Sequence, residues 1–276
     1  MHGLILLLMN IMVRDNMFGG LYMSLKSEKQ KIVEIKGLSK RYGKANKFAI
    51  EGIDVECYAG EIVGLLGHNG AGKSTTIKCL TGFFPFEQGD VKICNHDIKK
   101  NPIEAKKNLG YVPDNRASFE KMTGIEYINF IADIHQTSLE DRERRLKEMQ
   151  GVFKLGDKIN DLISSYSHGM KQKICLMASL IHNPKLWLLD EPLTGLDPQT
   201  SKALHKYMNK YREEGNAVLY SSHNLDAIEK TCDRAYIINK GKIVANINIP
   251  EFLKENPGKS LETAFIERFG EDVCNI

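Results

Sequence analysis

The 276-residue sequence has no apolar run of the roughly 18 to 20 residues that a helix needs to cross a bilayer. The nearest approach is LILLLMNIMV at residues 4–13, which is short and is interrupted by Asn10. No basic residue precedes it and no small-residue cleavage pattern follows it, so we do not expect a signal peptide. We expect residues 1–30 to form an extension outside the fold. Within it, we expect residues 1–22 to be dispensable and Met23 to be the natural start.

The sequence also lacks a large excess of charge of either sign, because 38 lysines and arginines nearly balance 35 aspartates and glutamates and the net charge at pH 7 is only +3. No stripe of lysine and arginine with interleaved aromatic residues occurs, and such a stripe is the usual footprint of a nucleic-acid surface. We therefore predict that nucleic acid is not a partner.

The six cysteines form no C-x-x-C pair and no spacing typical of a metal site. This distribution argues against a zinc module and against a disulfide framework. We expect reduced and mostly buried thiols, as in proteins of the cytosol.

What the sequence does contain is GLLGHNGAGKSTT at residues 64–76, which matches the phosphate-binding pattern G-x-x-x-x-G-K-[ST]. Residues 62–66 read as the strand before this motif and residues 74–80 as the helix after it. Backbone N–H groups of such a loop surround phosphates, the lysine reaches β- and γ-oxygens, and the next hydroxyl binds Mg²⁺. Lys73 is thus a predicted catalytic residue and Ser74 a predicted Mg²⁺ ligand. The predicted ATP-binding residues of the loop are Gly67, His68, Asn69, Gly70, Ala71, Gly72, Lys73, Ser74 and Thr75.

Two further apolar runs end in residues suited to phosphate chemistry. KLWLLDEP (185–192) reads as a buried parallel strand, and ligands bind at the carboxyl ends of such strands. Asp190 is therefore placed to hold Mg²⁺, and Glu191 to orient or deprotonate an attacking water. AVLYSSH (217–223) is a similar run, and it places His223 near the γ-phosphate unless His223 is a structural residue.

An aromatic residue precedes the phosphate-loop strand, in LSKRYG. Tyr42 at this place could stack on the adenine ring, a contact that is worth about 1–3 kcal/mol in base stacking elsewhere. The alternative is that Tyr42 packs on a small antiparallel sheet.

A second anion site is predicted at YSHGMKQK (166–173). Ser167 and Gly169 open a helix that runs to Ile181, with Met170 and later apolar residues forming one stripe. A helix start of this kind favours phosphate through its free N–H groups and its dipole. We predict that Ser167 and Gly169 form a second phosphate site.

The coarse map predicts an α/β fold with a P-loop NTPase core. Its sheet is mostly parallel and is accompanied by a small antiparallel sheet. Residues 114–183 read as mostly helical and interrupt the core as a helical insert. Strands return at 186–190, 217–221, 235–239 and 242–247.

In the order and type of its motifs, residues 31–248 resemble an ATP-binding subunit of an ABC transporter. The aromatic loop, the phosphate loop, the signature SHGMK, the acidic pair, GLD at residues 195–197 and the switch histidine follow one another as in that family. Residues 249–276 form a C-terminal tail outside the resemblance.

The resemblance implies an ATPase that works as a head-to-tail pair of subunits. Each signature caps the ATP held by the other copy, which explains two phosphate sites in one chain. A homodimer, a separately encoded multi-pass permease, a position on the cytoplasmic face of the membrane and transport in the export direction are implied as well. Residues 115–130 are expected to contact the permease, with Phe119, Met122, Tyr127 and Phe130 as groove residues; Tyr127 and Phe130 could instead belong to the insert's own core.

Two positions depart from the family pattern. The signature has His168 and Met170 where Ser-Gly-Gly-Gln would have glycine and glutamine. In LGYVPDNR, Asp114 replaces the glutamine that reaches Mg²⁺ and the attacking water. We expect Asp114 to contact Mg²⁺, unless the shorter side chain only caps the following turn.

A soluble ABC ATPase that serves a cytosolic assembly machine is the main alternative. A chromosome-type ATPase would need a long coiled coil between Lys73 and Asp190, and that stretch is used by the insert. A GTPase would need Asn-Lys-x-Asp, which does not occur.

Overall fold

The computed structural model describes residues 29–43, 46–114 and 119–270. The expectations for residues 1–22 and for a start at Met23 lie outside the described residues. From Lys31 onward the chain forms one unit.

The central sheet has six strands in the order β10-β9-β3-β8-β7-β6. Neighbouring strands from β9 to β6 are parallel, whereas β10 pairs with β9 in antiparallel fashion. Because parallel strands end at one edge, the residues that follow β3, β7 and β8 lie together. The strands are β3 (Glu61–Leu66), β6 (Leu109–Val112), β7 (Leu186–Asp190), β8 (Ala217–Ser222), β9 (Arg234–Asn239) and β10 (Lys242–Asn248).

A second, antiparallel sheet has the order β2-β1-β4-β5. Its strands are β1 (Lys31–Lys40), β2 (Ile50–Tyr58), β4 (Gln88–Ile93) and β5 (His96–Asp97). The buried residues of this sheet share a core with α1 (Lys73–Leu80) and with one face of the central sheet. The small sheet therefore helps to position the helix that follows the phosphate loop.

Helices cover the central sheet and build the insert. Beside α1, the core carries α2 (Pro102–Lys107), α6 (Pro198–Glu213) and α7 (Leu225–Thr231). The insert contains α3 (Gly124–Ile134), α4 (Leu139–Phe153) and α5 (His168–Leu180), with 3-10 turns at Gly156–Asn160 and Ile163–Ser165. The predicted fold class is confirmed.

The helix α5 is held directly against the central sheet. The indole N–H of Trp187 donates a hydrogen bond to the Ser179 hydroxyl at 3.0 Å. A Cβ atom on Gly110 would lie 2.2 Å from the Ser179 carbonyl oxygen, so α5 and β6 approach more closely than side chains would allow. The insert is thus fixed to β6 and β7 at the C-terminal half of α5.

The segment after β10 continues the core. Helices α8 (Ile249–Glu255) and α9 (Leu261–Phe269) bury Phe252, Leu261 and Phe265 in the main hydrophobic cluster. The Leu261 N–H donates to a Glu229 carboxylate oxygen at 2.6 Å, which ties α9 to α7. Residues 249–269, expected as a tail, therefore pack on the main core.

A half-buried histidine pair lies where the insert meets β6. The rings of His135 and His182 stack with centroids 3.6 Å apart, and Nε2 of His182 is 3.1 Å from the Leu109 carbonyl oxygen. The other ring nitrogen of His182 is buried, and within the described ranges it has no hydrogen-bond partner. Burial, reinforced by His135, lowers the pKa of His182 to about 3.

This pair predicts a loss of stability on mild acidification. An unfolded His182 takes up a proton near pH 6.5, whereas the folded residue stays neutral until about pH 3. Between these values the free energy of unfolding should decrease as the pH is lowered, by up to about 1.4 kcal/mol per pH unit. Denaturant titrations at pH 7 and pH 5 should show that the free energy of unfolding decreases less between these pH values for His182→Gln than for the wild type. Equal losses in both proteins would contradict this interpretation.

Candidate active site

The phosphate loop, residues 67–72, connects β3 to α1. Gly72 precedes α1 with φ +118°, a conformation that favours glycine, and a Cβ atom there would lie 2.7 Å from Ile50 Cγ2. Among the residues that the structure describes, no side chain caps the start of α1. Its first N–H groups are therefore available to an anion, as a phosphate site requires.

Lys73 lies across this loop. Its side chain is buried, and Nζ donates to the carbonyl oxygens of Gly67 at 2.5 Å and His68 at 3.4 Å. The same nitrogen is 3.4 Å from Oε1 of Glu191. The structure thus brings the predicted phosphate-binding cation and the predicted water-activating carboxylate into direct contact.

Asp190 ends β7 and is buried. Its carboxylate accepts a hydrogen bond from the Ser221 hydroxyl at 2.6 Å. Burial raises the pKa of Asp190 and the charge of Asp114 adds to the rise, while hydrogen bonds from Ser221 and Ser74 oppose it. A carboxylate with hydroxyls around it and an acidic neighbour is an environment that a divalent cation would stabilise.

Glu191 has a backbone φ of +49°, which is uncommon for a residue with a side chain. Its N–H donates to the Ser221 hydroxyl at 3.1 Å, which supports this conformation. Its Oε1 is 3.0 Å from Nδ1 of His223, so the carboxylate joins Lys73 to His223. Strained backbone of this kind is typical of functional sites.

A cavity of about 360 Å³ opens over these groups. Its lining includes nearly all the residues predicted from the phosphate loop, together with the aromatic residue and two carboxylates. The lining residues are Tyr42, Ala49, His68, Asn69, Gly70, Gly72, Lys73, Ser74, Thr75, Asp114 and Glu191. Gly67 and Ala71 belong to the loop but not to this lining.

Tyr42 stands at the mouth of the cavity with about half of its surface exposed. Its hydroxyl is 2.9 Å from the Thr75 hydroxyl, and its ring meets Phe84 edge-on at 5.6 Å. Tyr42 thus packs on Phe84, which lies outside the strands of the antiparallel sheet, and it also lines the cavity. Stacking of Tyr42 on the adenine stays a prediction.

Asp114 lines the cavity together with Lys73, Ser74 and Glu191. Its negative charge raises the pKa of Asp190 and of Tyr111, in each case by less than burial does. Ser74 also reaches Asp190. Throughout the described ranges, no three His, Cys, Asp or Glu side chains are grouped closely enough to hold a metal ion alone. The residues present suit Mg²⁺, which usually takes one or two carboxylates and completes its shell with phosphate oxygens and water.

Ser167 and Gly169 lie outside this lining. Ser167 caps α5, since its hydroxyl accepts the Met170 N–H at 3.3 Å. Its side chain is exposed. The second predicted phosphate site, at the start of α5, therefore lies outside the lining of this cavity.

The sequence pattern of the ABC transporter family matches residues 50–194, more than half of the chain. The chain belongs to the ABC transporter family. It is an ATP-binding protein and an ATPase of that family, and the phosphate loop and the acidic pair both lie in the matched region.

Relatives with known names support the assignment over a longer stretch. The linearmycin resistance ATP-binding protein LnrL of Bacillus subtilis is 34% identical over 214 residues, which cover 78% of this chain and 68% of LnrL. The SkfA peptide export ATP-binding protein SkfE of the same species is 31% identical over 221 residues, 80% of this chain and 91% of SkfE. Human ATP-binding cassette sub-family A member 2 is 32% identical over 240 residues, 87% of this chain, but this chain spans only 10% of that protein.

Solved structures show the same fold. An ATP-binding subunit of an ABC transporter superimposes with a TM-score of 0.80 at 30% sequence identity, over 86% of this chain and 98% of that one. In the described part of this ABC ATPase, no helix has the length and apolarity to cross a membrane.

Sequence reasoning missed Ser221, which holds both members of the acidic pair of this ABC ATPase. Asp190 and Ser221 are partners across neighbouring parallel strands. The string YSSH gives no signal for this role, because register between strands far apart in sequence is set by tertiary packing.

Proposed function

We propose that this ABC ATPase works as a pair of identical subunits arranged head to tail, with each ATP shared between two copies. One observation carries the proposal: Ser167 and Gly169 start a helix suited to phosphate, yet they lie outside the lining of their own chain's cavity. A second copy in the opposite orientation would bring that helix start to the γ-phosphate.

Within each site we assign a role to each predicted residue. Lys73 and the N–H groups of residues 67–75 bind the phosphates, and Tyr42 stacks on the adenine. Glu191 orients and deprotonates the attacking water, while His223 holds the Glu191 carboxylate and contacts the γ-phosphate. Ser74, Asp190 and Asp114 would hold Mg²⁺, which neutralises charge on the phosphates when bound.

We further propose that a separate multi-pass permease holds this subunit at the cytoplasmic face of the membrane. An aromatic cluster of α3 and the residues before it supports this. Phe119 stacks on Tyr127 with centroids 4.9 Å apart and lies 5.7 Å from Phe130. Phe119 and Phe130 are each about 40% exposed, whereas Tyr127 packs against the main core. Residues 115–118 of the predicted contact lie outside the described residues.

The direction of transport is proposed from the relatives. SkfE is named for peptide export and LnrL for resistance to linearmycin, so export is the direction that we favour for this chain. The alternative, an ATPase that serves a cytosolic assembly machine, predicts a different partner.

Affinity capture from detergent-solubilised membranes distinguishes a transporter subunit from an ATPase that serves a cytosolic assembly machine. We expect the wild type to recover a protein with several membrane spans, and Phe119→Glu to recover much less of it. Lys154→Glu, an exposed residue at the end of α4, is the matched control and should behave as the wild type. Recovery of only water-soluble partners would contradict the transporter proposal.

Asp114 predicts an unusual dependence on Mg²⁺. A carboxylate should attract the cation but repel the γ-phosphate without it, since like charges about 4 Å apart cost about 4 kcal/mol at an effective dielectric of 20. Asp114→Asn should therefore strengthen metal-free ATP binding and raise the Mg²⁺ concentration needed for half-maximal hydrolysis.

Titration of Mg²⁺ against hydrolysis rate, and of ATP without metal, measures both effects. Asp90→Asn, at an exposed position of β4, controls for loss of a carboxylate elsewhere. Superimposable curves for wild type and Asp114→Asn would leave Asp114 as a turn residue.

A further inference from the structure

The start of α5 touches the loop that follows β7, residues 191–197, here called the Glu191 loop. A Cβ atom on Gly195 would lie 1.9 Å from Cδ2 and 2.6 Å from Nε2 of His168. Gly195 also has φ +78°, so glycine is required there for two reasons. A Cβ atom on Gly169 would lie 3.2 Å from the Gly195 carbonyl oxygen. The imidazole of His168 thus lies directly on the backbone of the Glu191 loop.

This contact is one end of a seam that continues along α5. The buried Gln172 donates through Nε2 to the Pro192 carbonyl oxygen at 2.7 Å. One residue on, the Lys173 ammonium is 4.0 Å from the Asp197 carboxylate. The seam therefore joins the signature helix to both ends of the Glu191 loop.

His168 is the member of the seam that departs from the family pattern. A glycine at 168 would leave the face of Gly195 uncovered and would leave Gln172 and Lys173 as the remaining links. His168 is exposed on its other side, so its ring adds little buried area to the core. A ring this close to Gly195 would limit how far Gly195 can move towards the start of α5.

We propose that His168 is a positioning residue that couples the signature helix to Glu191 of the same chain. The coupling rests on the proposed sharing of ATP between copies. In that arrangement Ser167 and Gly169 contact the ATP of the partner, while Glu191 serves the ATP of its own chain. Through its contact with Gly195, four residues from Glu191, His168 makes the position of Glu191 depend on whether the signature helix has ATP of the partner bound.

Steady-state kinetics test the coupling. His168→Gly should lower kcat by about tenfold through misplacement of Glu191, while ATP affinity of the single chain stays unchanged because the phosphate loop is untouched. The Hill coefficient for ATP should fall towards 1. His168→Phe keeps a planar ring over Gly195 and should recover most of kcat. Wild-type kcat in His168→Gly, or an equally low kcat in His168→Phe, would overturn the proposal.

A double-mutant cycle tests the contact without reference to activity or to dimers. Gly195→Ala should lower the unfolding midpoint more in the His168 chain than in the His168→Gly chain, because only the former has a ring in the path of the new Cβ. Strain from φ +78° is common to both and cancels. An equal decrease of the unfolding midpoint in the two chains would contradict a contact between His168 and Gly195. Failure of the subunits to pair with ATP, with this difference preserved, would instead count against the shared sites.

Discussion

Replacement of Glu191 by glutamine should stop hydrolysis and leave ATP binding intact. The glutamine amide keeps the shape of the side chain but cannot accept a proton from water, and general bases contribute typically about 10²–10⁴-fold to rates. We expect kcat to fall within that range. The 3.4 Å ion pair with Lys73 is lost at the same time, which frees the lysine for phosphate, so ATP affinity should stay equal or rise.

Single-turnover hydrolysis and equilibrium ATP binding measure the two effects separately. Glu213→Gln, at the exposed end of α6, is the matched control and should keep the wild-type rate. A Glu191→Gln protein with more than a tenth of the wild-type kcat would remove Glu191 from the catalytic set.

Replacement of Lys73 by alanine should lose both binding and turnover. Lys73 supplies the buried cation that the described site directs at the phosphates, and its neighbours are carbonyl oxygens and Glu191. Alanine removes the lysine charge that faces the Glu191 carboxylate, so the carboxylate repels an incoming triphosphate more strongly. Removal of one preorganised donor costs about 10²–10³-fold in kcat elsewhere, and we expect at least this loss together with weaker ATP binding.

The matched control is Lys78→Ala, which removes a lysine from the last turn of the same helix and leaves the phosphate loop unchanged. It should hydrolyse ATP at the wild-type rate. Strong ATP binding by Lys73→Ala, measured with a fluorescent nucleotide, would contradict the assignment of the phosphate loop.

The sequence predicted the parts of the site that depend on local chemistry. Phosphate loops need glycines, a lysine and a hydroxyl at fixed spacing, so residues 67–75 could be placed without coordinates. Asp190 and His223 could be brought together because parallel strands end at one edge of the sheet. The cap of α5 at Ser167 followed from a helix-start pattern.

Tertiary contacts between distant segments could not be predicted in the same way. Ser221 holds Asp190 only because β7 and β8 pair in one particular register. The contact of His168 with Gly195 depends on how the insert docks on the core, and neither residue signals it. The packing of α9 on α7 likewise reflects residues whose partners lie elsewhere in the chain.

Light scattering of the Glu191→Gln protein with saturating ATP tests the shared site most directly. The account predicts that the mass doubles with ATP and that two ATP are held per pair. Gly169→Asp, added to the same chain, should abolish pairing by placing a negative charge at the γ-phosphate, yet leave ATP binding to the single chain unchanged. A chain that stays single at saturating ATP, or that loses its own ATP binding when Gly169 is replaced, would contradict the account.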